Sequence, residues 1–127
     1  MSVLAEVARR AAADSPLWLE ALVHEDAPPA FAGACPPSHL LGIEMIYEGY
    51  LLHGGRSRLF SHDDPDLALL TGDYLYAAGL REICATGDLE AVGALAALIS
   101  RCARNQGDGS GGDDALWDET VASLSRS

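Results

Sequence analysis

Apolar positions recur at helical spacing along most of the chain. Val3, Leu4, Val7, Ala8 and Ala11 fall on one face of an amphipathic helix over 2–13. Asp14-Ser15-Pro16 interrupts it, with Ser15 suited to an N-cap and Pro16 to the first helical position. Leu17, Trp18, Leu22 and Val23 then give a second helix its apolar side, ending by His24-Glu25-Asp26. Residues 27–38 hold Pro28, Pro29, Pro36 and Pro37, so a connector is predicted there. Ser38 is placed to cap a third helix over 39–53, whose stripe is Leu40, Ile43, Tyr47, Tyr50 and Leu51 and whose stop is Gly54-Gly55. After a polar segment, Asp64-Pro65 starts a helix that runs to Thr86 and stops at Gly87. Leu67, Leu70, Tyr74, Ala77 and Ala78 form its predicted stripe, widened by Leu69, Leu80 and Ile83. Gly72, Ala77, Ala78 and Gly79 are small enough to let another helix come close.

Asp88 caps the next helix, in which Leu89, Val92, Leu95, Ala96, Ile99, Cys102 and Ala103 keep a period near 3.6, with Arg101 and Arg104 near its negative end. Residues 105–114, rich in Gly and Asp, read as a flexible linker, and Trp117, Val121 and Leu124 mark a last short helix over 115–125. The prediction is an all-α bundle of about six helices. One helical domain over 1–106, with the Pro-rich connector at 27–38, is followed by a linker at 107–114 and a C-terminal short helix within 115–127.

Composition narrows the chemistry. The 127 residues carry 8 basic and 19 acidic side chains, a net charge of -11, and every basic residue is Arg. Without Lys there is no Schiff-base lysine and no P-loop. The acidic balance disfavours nucleic acid and anionic membrane surfaces as partners. Ala and Leu fill nearly a third of the chain while aromatics are 6%, which favours packed helices over sheets. No apolar run approaches the roughly 20 residues of a membrane span, and the N-terminus lacks the apolar core of a secretory signal. Cys35, Cys84 and Cys102 are odd in number and form no CxxC pair, so reduced thiols and a cytoplasmic location are expected. Cys84 and Cys102 lie in apolar stretches and read as core residues, and no cofactor is expected.

Two clusters of ionisable groups are candidates for chemistry. His62, Asp63, Asp64 and Asp66 offer hard oxygen ligands plus an imidazole for a divalent metal, but Asp-Pro at a helix start equally makes them capping aspartates. Glu44 and Glu48 lie four apart on one helix face, followed by His53, and compete with the reading of a solvated polar face. His24 and His39 are isolated and read as surface residues. Asp73 stands inside an apolar helix and calls for a partner such as Arg81 or a Tyr hydroxyl.

The segment Leu67-Ala-Leu-Leu-Thr-Gly-Asp-Tyr-Leu-Tyr-Ala77 resembles the L-A-x-L-x-G-D-Y-L-x-A helix of the trans-polyprenyl diphosphate synthases. In that family the preceding helix reads E-x-x-H-x-x-x-L-x-H-D-D-x-x-D. Glu44 matches its Glu, Tyr47 stands at its first His, and His53 matches its second His. The three aspartates, which hold Mg²⁺ against the substrate diphosphate, fall on Gly54, Gly55 and Arg58. The family's Gly-Lys-x-x-x-Arg element is absent as well. The resemblance spans residues 38–106. It implies part of the isoprenoid synthase fold, a scaffold role for Glu44, His53, Gly72 and Asp73, a ligand contact for Glu44, Tyr47, His53 and Asp73, and no catalytic residue. The implied function is that of a non-catalytic interaction protein, similar to the synthase small subunits that lack the aspartate motif. It would pair as a dimer with itself or with a catalytic prenyl diphosphate synthase. The alternatives are a small isoprenoid or lipid binder, and a divalent-metal enzyme using the His, Asp and Glu residues above.

Overall fold

A computed structural model describes residues 2–109 and 111–125. Its elements are all helical, in the order α1 (Val3–Asp14), α2 (Pro16–Ala21), a single 3-10 turn (Pro37–His39), α3 (Leu40–His53), α4 (Pro65–Ala85), α5 (Leu89–Asp108) and α6 (Asp113–Leu124). No described helix is long and apolar enough to cross a membrane.

Several boundaries follow from the capping residues that the sequence offers. The Ser15 hydroxyl accepts from the Leu17 N–H, and Pro16 opens α2. Asp64 accepts from the Asp66 and Leu67 N–H groups, and Asp88 from Ala91 at 3.0 Å. Ser38 departs from its predicted role. Its hydroxyl contacts the neighbouring His39 Nδ1 at 2.8 Å, and α3 begins without a side-chain cap. α2 is also shorter than the pattern suggests. Leu22 leaves the helix to form an isolated antiparallel bridge with Phe60, and the Val23 N–H donates to the Leu59 carbonyl at 2.8 Å.

α3 and α4 form the middle layer, and glycine fixes how closely they meet. A Cβ on Gly49 would sit 2.8 Å from the Gly72 carbonyl oxygen, and a Cβ on Gly42 would sit 2.9 Å from that of Gly79. The pairings 42 with 79 and 49 with 72 run in opposite senses, so the two helices are antiparallel. Both pairs are seven residues apart, which returns them to the same face after two turns. The buried side of α4 is Ala68, Thr71, Gly72, Leu75, Ala78, Gly79 and Ile83, with Gly72, Gly79 and Ile83 in contact with α3. This corrects the predicted stripe: Leu69 and Leu70 are more than half exposed, and Ala77 lies outside. Close backbone approach demands the small residues inside, and the larger leucines rotate out.

One apolar cluster lies on each side of this pair. Leu4, Val7, Ala8, Ala11 and Ala21 from α1 and α2 pack with Met45, Leu52, Leu59, Phe60 and Leu75. On the other side Ala91, Leu95, Leu98 and Cys102 of α5 join Trp117, Val121 and Leu124 of α6, together with Phe31, Ile43, Ile46 and Tyr50. The predicted α5 stripe is shifted in the same way, since Leu89 is 71% exposed and Ala91 and Leu98 take the core. α6 belongs to this core. The linker predicted over 107–114 is shorter than expected, because α5 continues to Asp108 and α6 begins at Asp113. Ser110, within that segment, lies outside the described residues.

Candidate functional site

Glu44 and Glu48 are fully buried, so they do not form a solvated face. They project from α3, which is apolar on nearly every side and lies between the two cores. A carboxylate there needs a cation and hydrogen-bond donors to offset its desolvation. Both come from the loops on either side of the helix.

Arg58, in the loop after α3, supplies the cation. Its Nη1 lies 2.7 Å from Glu44 Oε1 and its Nε lies 2.9 Å from Glu48 Oε1. One guanidinium thus bridges carboxylates one helical turn apart. Its Nη2 reaches the Glu44 backbone carbonyl at 3.4 Å, and its plane lies over the Tyr47 ring with Cζ 5.3 Å from the centroid. The second oxygen of each carboxylate organises a loop. Glu44 Oε2 accepts from the Ala30 and Phe31 N–H groups at 2.9 and 2.7 Å. Glu48 Oε2 accepts from the Arg58 and Leu59 N–H groups at 3.1 and 3.0 Å, and from the Ser57 hydroxyl. All four carboxylate oxygens are occupied. The cluster pins the Pro-rich connector and the 54–61 loop to the same face of α3.

Tyr47 belongs to this assembly as an aromatic wall. Its ring meets Phe31 edge-on at 5.0 Å and Trp117 at 4.9 Å, joining the connector and α6 to α3. Burial raises the Tyr47 phenol, and it pushes Tyr50 up to about 12. The Tyr50 hydroxyl donates to Asp113 at 3.0 Å, which anchors the start of α6.

His53 and Asp73 meet at the other end of the α3–α4 contact. His53 Nε2 lies 3.1 Å from the Leu69 carbonyl and 3.4 Å from Asp73 Oδ1, and its ring stands edge-on to Tyr76. Gly72 is what admits the ring, since a Cβ there would collide with His53 Nε2. Asp73 is largely exposed. Its place in the helix requires no buried partner, and the group it faces is His53 rather than Arg81 or a Tyr hydroxyl.

The expected metal residues do not converge. Asp64 is spent as the α4 cap, the Asp63 N–H donates to the Ser61 hydroxyl at 3.2 Å, and His62 and Asp66 are exposed. Among the described residues no three His, Cys, Asp or Glu side chains are grouped to hold a metal ion. His53, His62 and Asp66 do share the wall of an open cleft of about 480 Å³.

Two further expectations are corrected. His39 is buried, not on the surface, with its Nε2 2.9 Å from Asp88 Oδ2. This contact ties the start of α3 to the cap of α5 and holds the Asp88 carboxyl below its usual value, with the His39 hydrogen bond as the largest cause. Cys84 is exposed, because the turn of α4 that packs on α3 brings Ile83 inside instead. Cys35 and Cys102 are buried, and burial pushes the Cys102 thiol up to about 11.

Sequence reasoning missed Arg58 as a partner, although a signal was present. Between residues 11 and 80 the only basic side chains are Arg56 and Arg58, and the only carboxylates in α3 are Glu44 and Glu48. A helix apolar on all sides is buried, so its acids must find those arginines.

No family model, no curated protein and no solved structure matches the chain.

Proposed function

We propose that this protein is a non-catalytic helical interaction protein, a counterpart of the polyprenyl synthase small subunits that lack the aspartate-rich motif. The observation that carries this reading is the closure of the Glu44–Arg58–Glu48 cluster. Both carboxylates and the guanidinium are consumed by one another and by backbone groups of two loops. They serve the scaffold and are themselves engaged, so none of the three is free to hold Mg²⁺ or a diphosphate. The resemblance supports the same reading. Arg58 stands where the family pattern has its third aspartate, and its charge is turned inward onto Glu44 and Glu48.

The partner proposed is a catalytic trans-polyprenyl synthase, with a homodimer as the second form of assembly. Leu69, Leu70 and Leu89, each more than half exposed, are apolar surface suited to burial in a complex. The free thiols of all three cysteines accord with a cytoplasmic setting.

The test is a prenyl-transfer assay with Mg²⁺, isopentenyl diphosphate and an allylic diphosphate. Alone, the chain is expected to form no product. Added to the synthase encoded in the same genome, it is expected to change product length or the thermal midpoint of that enzyme. Turnover by the chain alone, or no effect on the synthase, would overturn the proposal.

A further inference from the structure

The outer side of α4 carries residues ordered about a centre. Leu70, Asp73, Ala77, Arg81 and Cys84 are all exposed. They follow one another at steps of three, four, four and three residues, so they form one stripe along the helix. Tyr74, stacked on Trp18 of α2, borders the stripe on one side. Tyr76 and Leu80, which pack on the α5–α6 core, border it on the other. Leu70 is 53% exposed and the Asp73 side chain 62%.

The charge on this stripe is unlike that of the whole chain. The chain carries -11, yet its exposed positions from 69 to 85 hold one acid, Asp73, and one base, Arg81, and otherwise Leu, Ala and Cys. Arg81 takes part in no ion pair among the described residues, and Asp73 lies 3.4 Å from the His53 imidazole. The two opposite charges stand four residues to either side of Ala77, about 6 Å along the axis each way. Turning the stripe end for end about Ala77 therefore puts the base where the acid was and the acid where the base was. It also exchanges Leu70 with Cys84. A two-fold axis performs this operation, and an isologous interface needs a patch that complements itself under it. Ala77 brings only a methyl group to the centre, so two α4 backbones can come close there.

From this mirrored order we infer that α4 pairs antiparallel with α4 of a second copy of this chain. The dyad passes at Ala77, and Asp73 of each protomer meets the partner's Arg81. Leu70 and Cys84 lie at the rim of the contact. The excess acid of each chain lies off the stripe, where salt screens it beyond about 8 Å. The inference rests on the proposed role as an interaction protein and gives its homodimer a surface and a register.

The test is sedimentation velocity of the full chain at physiological ionic strength. The expected mass is about twice the 13.3 kDa of the chain. Asp73→Arg and Arg81→Asp, both at exposed positions and checked for intact helicity by circular dichroism, set like charges together twice in each dimer. Each should weaken self-association at least about tenfold. Mixed in equal amounts, the two variants should recover a dimer, because both contacts then join opposite charges again. A purely structural role of either residue within its own chain would show no such recovery. The double variant should associate as the original chain does, and Ala77→Glu, which sets two carboxylates together at the dyad, should leave a monomer. A monomeric original chain, single swaps that associate unchanged, no recovery on mixing, or indifference to Ala77→Glu would overturn the inference. A monomer that captures the synthase through Asp73 and Arg81 would also overturn it, by assigning the stripe to a different protein. If the swaps fail to behave as expected yet the chain still alters the synthase, the interface falls and the proposed function stands. If the dimer behaves as expected and no synthase effect exists, the interface stands and the named partner falls.

Discussion

Arg58 balances two buried acids, and its removal exposes the cost of having them inside. Arg58→Ala leaves Glu44 and Glu48 fully buried without their cation. Breaking one side of a buried ion pair costs about 3–5 kcal/mol, so denaturant unfolding of this variant should show a loss in that range. Apolar replacement of a buried ion cluster is often neutral, and here the geometry predicts otherwise. Met at 44, 48 and 58 together would orphan the Ala30, Phe31 and Leu59 N–H groups that the carboxylates now accept. The triple variant is therefore expected to be less stable than the wild-type chain, as read from the same unfolding midpoint. Thiol accessibility offers a second check at the level of single residues. At pH 8 iodoacetamide should modify Cys84 alone. Cys35 and Cys102 are buried, and Cys102 is held protonated by a pKa raised to about 11, so both should react only after unfolding.

Among the elements, the α3–α4 pair is the most sensitive to volume. A Cβ on Gly79 would stand 2.6 Å from Ile46 Cγ1 and 2.7 Å from the Gly42 carbonyl, and the backbone atom cannot step aside. Gly79→Ala is expected to destabilise by about 1–3 kcal/mol. Gly93, on the outer side of α5, meets nothing within 4 Å. Gly93→Ala should instead stabilise by about 0.5–1 kcal/mol through helix propensity. The opposite signs of two identical substitutions are read from one pair of thermal midpoints. α1 contributes a pH dependence. The Arg9 hydrogen bond, followed by that of Arg10, lowers the Glu6 pKa from 4.5 to about 2. A depressed carboxyl stabilises the folded chain fully above pH 4.5 and loses that contribution as pH falls toward about 2. Glu6→Gln should flatten this part of the acid limb in thermal scans between those values.

Helix ends were the legible part of the sequence at this scale. Ser15-Pro16, Asp64-Pro65, Gly54-Gly55 and Asp88 each act locally, through one hydrogen bond or one permitted backbone conformation. The inward faces were less legible. Leu69 and Leu70 satisfy a helical period, but Gly72 and Gly79 decide which side of α4 can approach α3, and hydrophobicity alone does not register that. The Glu44–Arg58–Glu48 cluster was legible in its acids and not in its closure. That closure depends on a loop folding back over α3 to bring Arg58 to two side chains 10 and 14 positions away.

For the whole molecule, three layers divide the work. The central α3–α4 pair separates an α1–α2 core from an α5–α6 core, and Trp117 locks the last helix against Phe31, Tyr47 and Tyr50. The charged groups of the central helix are spent on holding loops, and exposed leucines stand on the outer side of α4, at Leu69 and Leu70, and at the start of α5, at Leu89. The central claim is that this scaffold acts by joining another protein. Its most direct test is light scattering after size-exclusion chromatography of the chain co-expressed with the trans-polyprenyl synthase of the same genome. A particle whose mass requires both chains, stable on dilution, is the predicted result. Separate elution of the synthase and the chain, each at its own mass, would contradict the account.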